Sequence, residues 1–442
     1  MLLLKLLDEV SDKVLNKCDG VPLAIITIAS LLVGKTPEQW IQEANFVIIP
    51  HNDGTMTIPP SGRVRSCDYK GLSLTSFKLL RVLALEGCKV QKGFIHLEHL
   101  ESLLHLRYLG LIQSRIRELP KGIGALKFLQ ILHLENTAIE ELPSSVGQLT
   151  QLICLRACKA KVPNGVIEKL TSLEELGISA HIHLTSIWET DLVKSLGSLR
   201  KIRHLKLDGP MGQDQALWGT TVLPRSLQCL IVPHIDFPAL PSCIKPSYLP
   251  NLSHLELSVE DMDEKGLKIL GGLPKLSHLW LDTSSRVTLT IHAIDYGCFF
   301  QTLRFLSLPN STVWFVLNKD SSVSFTLWNA WHYKDFGTET REGVMPNLET
   351  LEFYAKVSTL SDDNGSCDNL GLECIPSLQK VKVNLWCGGA IPDGVEKAEA
   401  ALRKAIEVLH PNSPTLEMVV YHFSGLILDP SLMLISAAGM VG

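Results

Sequence analysis

The stretches LRYLGL (Leu106–Leu111) and LQILHL (Leu129–Leu134) repeat one template, LxxLxL, at an interval of 23 residues. The template recurs on both sides of these two stretches. The first residues of successive template stretches lie 21–30 residues apart, except for one interval of 45 residues. The template stretches are LRVLAL from Leu80, LRYLGL from Leu106, LQILHL from Leu129, LICLRA from Leu152, LEELGI from Leu173, IRHLKL from Ile202, LQCLIV from Leu227, LSHLEL from Leu252, LSHLWL from Leu276, LRFLSL from Leu303, LETLEF from Leu348 and LQKVKV from Leu378.

A period of roughly 20–29 residues with this template is typical of leucine-rich repeats, in which each unit supplies one parallel strand. Two apolar positions of each strand point into a shared core, while the residues between them face outward on the concave side. The sequence therefore predicts an α/β fold: a leucine-rich-repeat solenoid whose curved parallel β-sheet has about 12 strands.

The long interval marks an insertion at about residues 312–345. It is rich in aromatic residues, which favours either a small packed subdomain or a recognition loop. Its aromatic residues, with the histidine among them, are Trp314, Phe315, Trp328, Trp331, His332, Tyr333 and Phe336.

The turns after the strands carry a Leu-Pro pair and then a glycine. Pro120 precedes Gly124, and Pro143 precedes Gly147. We expect the proline to end the preceding segment and the glycine to permit a tight bend. The third residue after the last template leucine is Cys88, Ser114 or Thr137 in the first three repeats, and we expect these side chains to satisfy buried backbone groups.

Composition limits the classes of function. The net charge of −5 and pI of about 6.3 offer no basic stripe for nucleic acid. The eleven cysteines include no CxxC pair, which favours reduced thiols and no structural zinc. The N-terminus lacks the pattern of a signal peptide, and no apolar run reaches the roughly 20 residues of a membrane span. We expect a cytoplasmic protein, with the nucleus as an alternative location.

The triplet Gly34-Lys35-Thr36 resembles the end of a phosphate-binding loop, but Ala29 stands where the first glycine of GxxxxGK[ST] belongs. The triplet also follows a helix-like apolar run, so it would lie at the wrong helix end for an anion. No GxSxG, HExxH or activated-cysteine pattern is present. We therefore expect a binding protein rather than an enzyme, with no cofactor, no catalytic residue and no metal.

The segment Lys17–Trp40 resembles the GLPLA region of plant intracellular immune receptors of the coiled-coil, nucleotide-binding, leucine-rich-repeat class. The motif is carried by Gly20, Pro22, Leu23 and Ala24, with valine in place of its usual first leucine. The resemblance implies a helix of the nucleotide-binding domain that has lost its P-loop. These residues would then be a vestigial contact that binds no nucleotide.

The resemblance extends to the stretch SGRVRSC, which is similar to the link into the repeats, and to Ala400–Met418, which is similar to the closing helix and strand. It implies four segments: a helical remnant at 1–45, a linker at 46–77, repeats at 78–390, and a C-terminal helix, cap strand and tail at 391–442. The implied function is protein recognition in defence against pathogens.

The implied partner is a protein: a pathogen effector, a guarded host protein, or the nucleotide-binding module of a related receptor. Two alternatives are a leucine-rich-repeat adaptor, such as a substrate receptor of a ubiquitin ligase, and an ADP- or ATP-dependent switch. A row of zinc ligands on adjacent strands is a weaker interpretation, because the 4.8 Å strand spacing spreads them too far apart.

Candidate contact residues occupy the outward positions of the strands, where side chains face the concave side. Exposed aromatic side chains are enriched among interface hot spots, whereas alternating charges are usually only solvated. The predicted partner-binding residues are Tyr108, His133, Arg156, His204, Lys206, His254, Glu256, His278, Trp280, Phe305, Glu352 and Lys382.

Overall fold

A computed structural model of the protein describes most of the chain between residues 96 and 421 and short stretches before it. The described residues are 46–49, 55–58, 62–65, 74, 78, 80–85, 96–158, 160–179, 186–208, 215–283, 288–292, 300–309, 312–318, 321–325, 345–357, 372, 375–388, 392–408 and 410–421. The chain divides into two compact units, Met1–Ser258 and Val259–Gly442. Among the helices described, none combines the length and apolarity that crossing a membrane requires.

Strands dominate the described part of the first unit. In chain order they are β1 Phe46–Ile49, β2 Thr55–Ile58, β3 Gly62–Arg65, β4 Val82–Leu85, β5 Tyr108–Gly110, β6 Ile131–His133, β7 Cys154–Cys158, β8 Glu175–Ser179, β9 His204–Asp208, β10 Cys229–Phe237 and β11 His254–Val259. Two helices lie between them, α1 Ser186–Leu196 and α2 Gln215–Thr220.

The strands of the first unit follow the order β11-β10-β9-β8-β7-β6-β5-β4-β1-β2-β3. From β4 to β10 every neighbouring pair is parallel. β1 also joins β4 in parallel, whereas β2 and β3 continue the sheet as antiparallel neighbours. The segment interpreted as a linker, 46–77, thus contains three strands of the sheet.

The second unit holds a main sheet and a small separate one. Its strands are β12 His278–Thr283, β13 Thr288–His292, β14 Phe305–Leu308, β15 Thr312–Asn318, β16 Ser321–Phe325, β17 Thr350–Lys356, β18 Lys380–Trp386 and β19 Thr415–Tyr421, and its helices are α3 Glu264–Gly271 and α4 Pro392–Arg403. The main sheet has the order β19-β18-β17-β14-β12. β15 and β16, from the insertion, form the other sheet together with β13, which precedes β14 in the chain. Residues 326–344 of the insertion lie outside the described residues.

Each of the template stretches is a strand, and each strand begins at the third template residue, as Tyr108 and Ile131 do for β5 and β6. Alternation then sends the next residue inward, so that Leu109 and Leu132 are fully buried. One repeat cannot bury its leucines alone, and stacked repeats share one core. The fold is a leucine-rich-repeat solenoid, as the periodicity predicts.

Short 3-10 turns return the chain from one strand to the next, for example Lys121–Ala125 and Ser144–Gln148. Pro120 and Pro143 directly precede these turns, as expected. The reason for the glycine differs from the expectation, because Gly124 does not have a positive φ. A Cβ at Gly124 would lie 2.8 Å from the Ser145 carbonyl oxygen of the next turn, so close packing of turns requires the glycine.

Side-chain hydroxyls and amides tie the repeats together. Ser114 and Thr137 donate to the carbonyls of Leu111 (2.6 Å) and Leu134 (2.9 Å), which confirms the role expected at these positions, whereas Cys88 lies outside the described residues. A second set of side chains was not anticipated from the sequence. Each lies directly before the first template leucine of its repeat and donates a hydrogen bond to a backbone carbonyl of the preceding repeat. The members of this set are Ser226, Asn251, Thr302, Asn347 and Ser377.

Candidate functional site

The outward-facing residues of the strands form two rows across each sheet. In the first unit, row one runs from Tyr108 in β5 to Cys229 in β10, and row two runs from Gly110 to Ile231, two residues further along each strand. In the second unit, row one begins at His278 and row two at Trp280. These rows hold the predicted partner-binding residues, and His254 and Glu256 occupy the corresponding row-one and row-two positions of β11.

The rows are buried at the β5–β8 end of the first unit. Tyr108 and His133 are 4% and 1% exposed, although the sequence placed both on an exposed face. The reason lies in Gly110: the Tyr108 side chain occupies the space next to this glycine, where a Cβ would lie 2.6 Å from Tyr108 Oη. The Tyr108 ring also packs edge-on against His133, with centroids 5.7 Å apart. We therefore leave Tyr108 and His133 out of the contact surface.

His133 belongs to a set of buried and half-buried polar groups, the Arg156 cluster, which comprises Glu135, His133, Cys154, Arg156 and Glu175. Arg156 Nε donates to Glu175 Oε1 at 2.5 Å, and Arg156 Nη1 lies 3.5 Å from Glu135 Oε1. His133 Nε2 lies 3.3 Å from Cys154 Sγ. The Arg156 side chain is only 16% exposed, so this predicted contact residue belongs mainly to the interior.

The surroundings of the Arg156 cluster fix its protonation. Burial, with the Arg156 charge as a second cause, lowers the pKa of His133 to about 3, so the imidazole is neutral at pH 7. Burial, with Glu175 nearby, raises the pKa of the Cys154 thiol well above its ordinary value. Burial by itself would lower the pKa of Arg156, but Glu175 and Glu135 outweigh it and hold the guanidinium charged.

This protonation suits a structural role. A reactive cysteine needs an accessible thiolate, and Cys154 is fully buried and protonated. A histidine with a pKa of about 3 is a poor general base near neutral pH. The cluster therefore supplies ion pairing rather than a nucleophile.

Exposure increases toward β9–β11. His204 is half-buried, and burial lowers its pKa although Glu175 acts in the opposite direction. Lys206 is exposed in row two. In β11, His254 Nε2 lies 3.0 Å from Glu256 Oε1, and both side chains are about one-third exposed. This end of the first unit presents charged groups that a partner can reach.

A neighbouring pair at the ends of β9 and β10 was not predicted from the sequence. His234 Nδ1 lies 2.7 Å from Asp208 Oδ1, and the hydrogen bond to Asp208 raises the pKa of His234. Both groups lie past the LxxLxL template, so the template alone does not mark them. β10 continues to Phe237, which places His234 on the strand rather than in a turn.

The second unit presents aromatic residues in its rows. The His278 and Phe305 rings are stacked across β12 and β14, with centroids 5.9 Å apart and planes 22° apart. His278 is exposed, and Phe305 and Trp280 are half-buried. In row two Trp280 is followed by Ser307, a buried residue, and then by the half-buried Glu352 and Lys382.

A polar network extends past row two in the second unit. Asn384 Nδ2 donates to Glu352 Oε1 at 3.1 Å, and Tyr421 Oη donates to Asn384 Oδ1 at 3.4 Å. The network fixes the orientation of the Glu352 carboxylate. Asn384 was detectable in the sequence, because it continues the outward alternation Lys380, Lys382, Asn384, but no template marks that position.

Metal, small-molecule and nucleotide sites were also considered for the described part of the chain. The described residues contain no group of three His, Cys, Asp or Glu side chains that could hold a metal ion. A shallow cavity of about 520 Å³ in the second unit is lined by polar groups, of which Asn347 and Ser377 already bond to backbone carbonyls. The predicted vestigial residues, Gly20, Pro22, Leu23 and Ala24, lie outside the described residues.

The solved structures to which this chain is similar include proteins of two bacteria. An LRR protein of Leptospira interrogans is 17% identical over 87% of this chain and 98% of its own, with a TM-score of 0.41. An internalin of Listeria monocytogenes, InlF, is 13% identical over 64% of this chain and 87% of its own, with a TM-score of 0.38. A second internalin of that organism, InlC2, is 15% identical over 48% of this chain and 84% of its own, with a TM-score of 0.37.

The family comparison covers most of the chain. Residues 61–416 match the family model described as a leucine-rich repeat region, a span that includes all of the template strands. Leucine-rich-repeat domains expose extended surfaces to which other proteins bind. This chain belongs to the leucine-rich repeat region family.

Proposed function

We propose that this chain recognises another protein through the reachable part of its outward rows, as a recognition module of the plant intracellular immune-receptor type. One observation carries the proposal: leucines in the strands are buried while polar and aromatic residues between them are reachable. Leu205 and Leu207 are at most 1% exposed, and Lys206 between them is exposed. The proposed contact residues are His204, Lys206, His254, Glu256, His278, Trp280, Phe305, Glu352 and Lys382.

The defence role rests on the sequence resemblance of Lys17–Trp40, the stretch SGRVRSC and Ala400–Met418 to such receptors. The partner is then a pathogen effector, a guarded host protein or the nucleotide-binding module of a related receptor. We place this recognition in the cytoplasm or nucleus. Neither the adaptor alternative nor the nucleotide switch has a feature among the described residues that favours it.

The test is co-immunoprecipitation of the tagged full chain from leaf cells, with a panel of effectors and of receptor nucleotide-binding modules. Charge reversal by Lys206→Glu and Lys382→Glu should abolish capture of the true partner, because both ammonium groups face outward. The matched controls Lys201→Glu and Lys265→Glu change exposed lysines that lie outside the rows. The proposal fails if every captured protein is retained equally by all of these variants.

The defence role has a separate readout. Co-expression of the partner with the native chain should change the strength of the immune response in leaf tissue, and the Lys206→Glu chain should leave it unchanged. Suppose that a protein is captured through the rows but its co-expression never alters the immune response. The proposal of protein recognition would then stand, and the proposed defence role would be overturned.

A further inference from the structure

β19, the last described strand of the second unit, is an edge strand among the described strands. Among the described strands its sole neighbour is β18. The inward residues of β18, such as Val381 and Val383, are 0% and 1% exposed, whereas Leu416, Met418 and Val420 at the equivalent positions of β19 remain half-exposed. Among the described residues, the apolar core is therefore less completely covered along β19 than along β18.

The backbone of β19 also has hydrogen-bonding groups on the open side. The Thr415 N–H donates to the Gln379 carbonyl at 2.8 Å, and the Tyr421 carbonyl accepts from the Cys387 N–H at 3.1 Å. Successive residues of a strand point their backbone N–H and C=O groups to opposite sides. The backbone groups of Thr415, Tyr421 and the odd-numbered residues between them therefore face β18. The N–H and C=O groups of Leu416, Met418 and Val420 then face away from β18.

The strand lacks the features that usually protect an edge from pairing. Its sequence TLEMVVY contains no proline and no lysine, and its register with β18 runs without a bulge from Thr415 to Tyr421. Its one charge is already matched within the same chain, since Lys380 Nζ lies 2.5 Å from Glu417 Oε1. Val419, on the outward side, is 51% exposed.

We propose that β19 pairs in antiparallel fashion with β19 of a second copy of this chain, about a two-fold axis at Met418. In this register Met418 lies opposite Met418 of the second copy, and Leu416 lies opposite Val420 of the second copy. These are the residues whose backbone groups face the open side, so each such pair exchanges both of its hydrogen bonds. The half-exposed apolar side chains then extend the core from one copy into the other.

The sequence of the strand favours a second copy over an unrelated strand. Symmetry places Glu417 opposite Val419 of the second copy. The two Glu417 side chains therefore do not lie directly opposite each other, which avoids the destabilising effect of opposed like charges. The inward side of the pair is apolar throughout, and self-complementarity of this kind is what an isologous interface requires.

Sedimentation equilibrium of the full chain tests the pairing. We expect the native protein to be dimeric, and Met418→Pro to raise the dimer dissociation constant at least about tenfold. Proline at residue 418 removes an N–H that faces the open side and leaves the β18 ladder intact. The matched control Met418→Val keeps the N–H and should remain dimeric. A native protein that is monomeric throughout, or a Met418→Pro protein that is equally dimeric, overturns the proposal.

Disulfide trapping gives a second measurement that does not depend on how well the proline variant folds. Under mild oxidation Met418→Cys should form a dimer linked through residue 418, because opposite residues of an antiparallel pair have Cα atoms about 5.5 Å apart, within disulfide range. Val419→Cys lies opposite Glu417 of the second copy and should link far more slowly.

Peptide mass spectrometry identifies the linkage against the native cysteines. If another segment of the same chain covers β19, Met418→Pro will lower Tm equally at all concentrations and no link between two residues 418 will form. That outcome also overturns the proposal.

Discussion

Arg156 on β7 donates through Nε to Glu175 on β8 at 2.5 Å, and the stem of Arg156 lies over Gly177 of the same neighbouring strand. A Cβ at Gly177 would lie 3.4 Å from Arg156 Cγ, an ordinary contact distance, so the arginine stem packs directly over this residue. The outward face of these strands thus contains an internal ion pair instead of a row of solvated charges. Glu175 Oε2, which is buried, has no hydrogen-bond partner in the structure, so the carboxylate relies on Arg156.

Arg156→Ala should therefore be strongly destabilising. It leaves the Glu175 carboxylate buried without its cation, and breaking a buried pair from one side typically costs about 3–5 kcal/mol. The measurement is the free energy of unfolding from urea titration of the full chain at pH 7.

The matched control replaces both charges. Arg156→Met combined with Glu175→Leu keeps the volumes and removes the uncompensated charge, so we expect it to recover most of the lost stability. If the double variant is as unstable as Arg156→Ala, packing of the arginine stem matters more than the ion pair.

His133 should make stability depend on pH. Its folded pKa of about 3 lies below the ordinary value of 6.5, so between these pH values the unfolded chain binds a proton that the folded chain does not. The stability due to the neutral ring is complete above pH 6.5 and is lost progressively as pH falls toward 3, by about 1.4 kcal/mol per pH unit.

The check is a comparison with His133→Phe, which keeps a ring beside Tyr108. Between about pH 6 and pH 4, the unfolding free energy of His133→Phe should fall less steeply with decreasing pH than that of the native protein. The difference between the two slopes should correspond to the binding of one proton. His105→Phe, an exposed position, is the control and should keep the native slope. Equal slopes for the native and His133→Phe proteins would mean that His133 does not cause the acid sensitivity.

The fold was predictable because the leucine period reports which residues share a core. The start of every template strand, such as Phe305 or Lys380, follows from the inward and outward alternation alone. The strands at 46–65 were missed because they lie outside the template. β1 nevertheless pairs in parallel with β4, and that pairing depends on backbone hydrogen bonds that side-chain type does not encode.

The candidate site was less predictable, since outward position does not imply exposure. Tyr108 and His133 occupy outward positions and are buried because Gly110 leaves room for the Tyr108 ring. Lys206 occupies the row-two position of β9, equivalent to His133 in β6, and is exposed. The difference arises within β5, where Gly110, two residues along the same strand, leaves room for the Tyr108 ring, and outward position alone does not encode it.

Gly124→Ala should destabilise the first unit. The new Cβ would lie 2.7 Å from Gln148 Oε1 and 2.8 Å from the Ser145 carbonyl oxygen. The glutamine can move, but the backbone carbonyl cannot move without shifting the next turn, so we expect a cost of about 1–3 kcal/mol. Thermal unfolding checks this, with Gly197→Ala as the control, because there the nearest atom lies at 3.6 Å, an ordinary contact.

Trp280→Ala should weaken partner binding more than it weakens the fold. The side chain is half-buried in row two beside the stacked His278 and Phe305 rings, a setting typical of aromatic interface anchors. Loss of such an anchor commonly costs about 2 kcal/mol, or roughly a 30-fold drop in affinity. Calorimetric titration with the captured partner measures the change, while Tyr248→Ala removes a more exposed aromatic side chain, 50% exposed, outside the rows. If both substitutions weaken binding alike, the contact surface extends past the rows, and if neither does, the partner binds elsewhere on the chain.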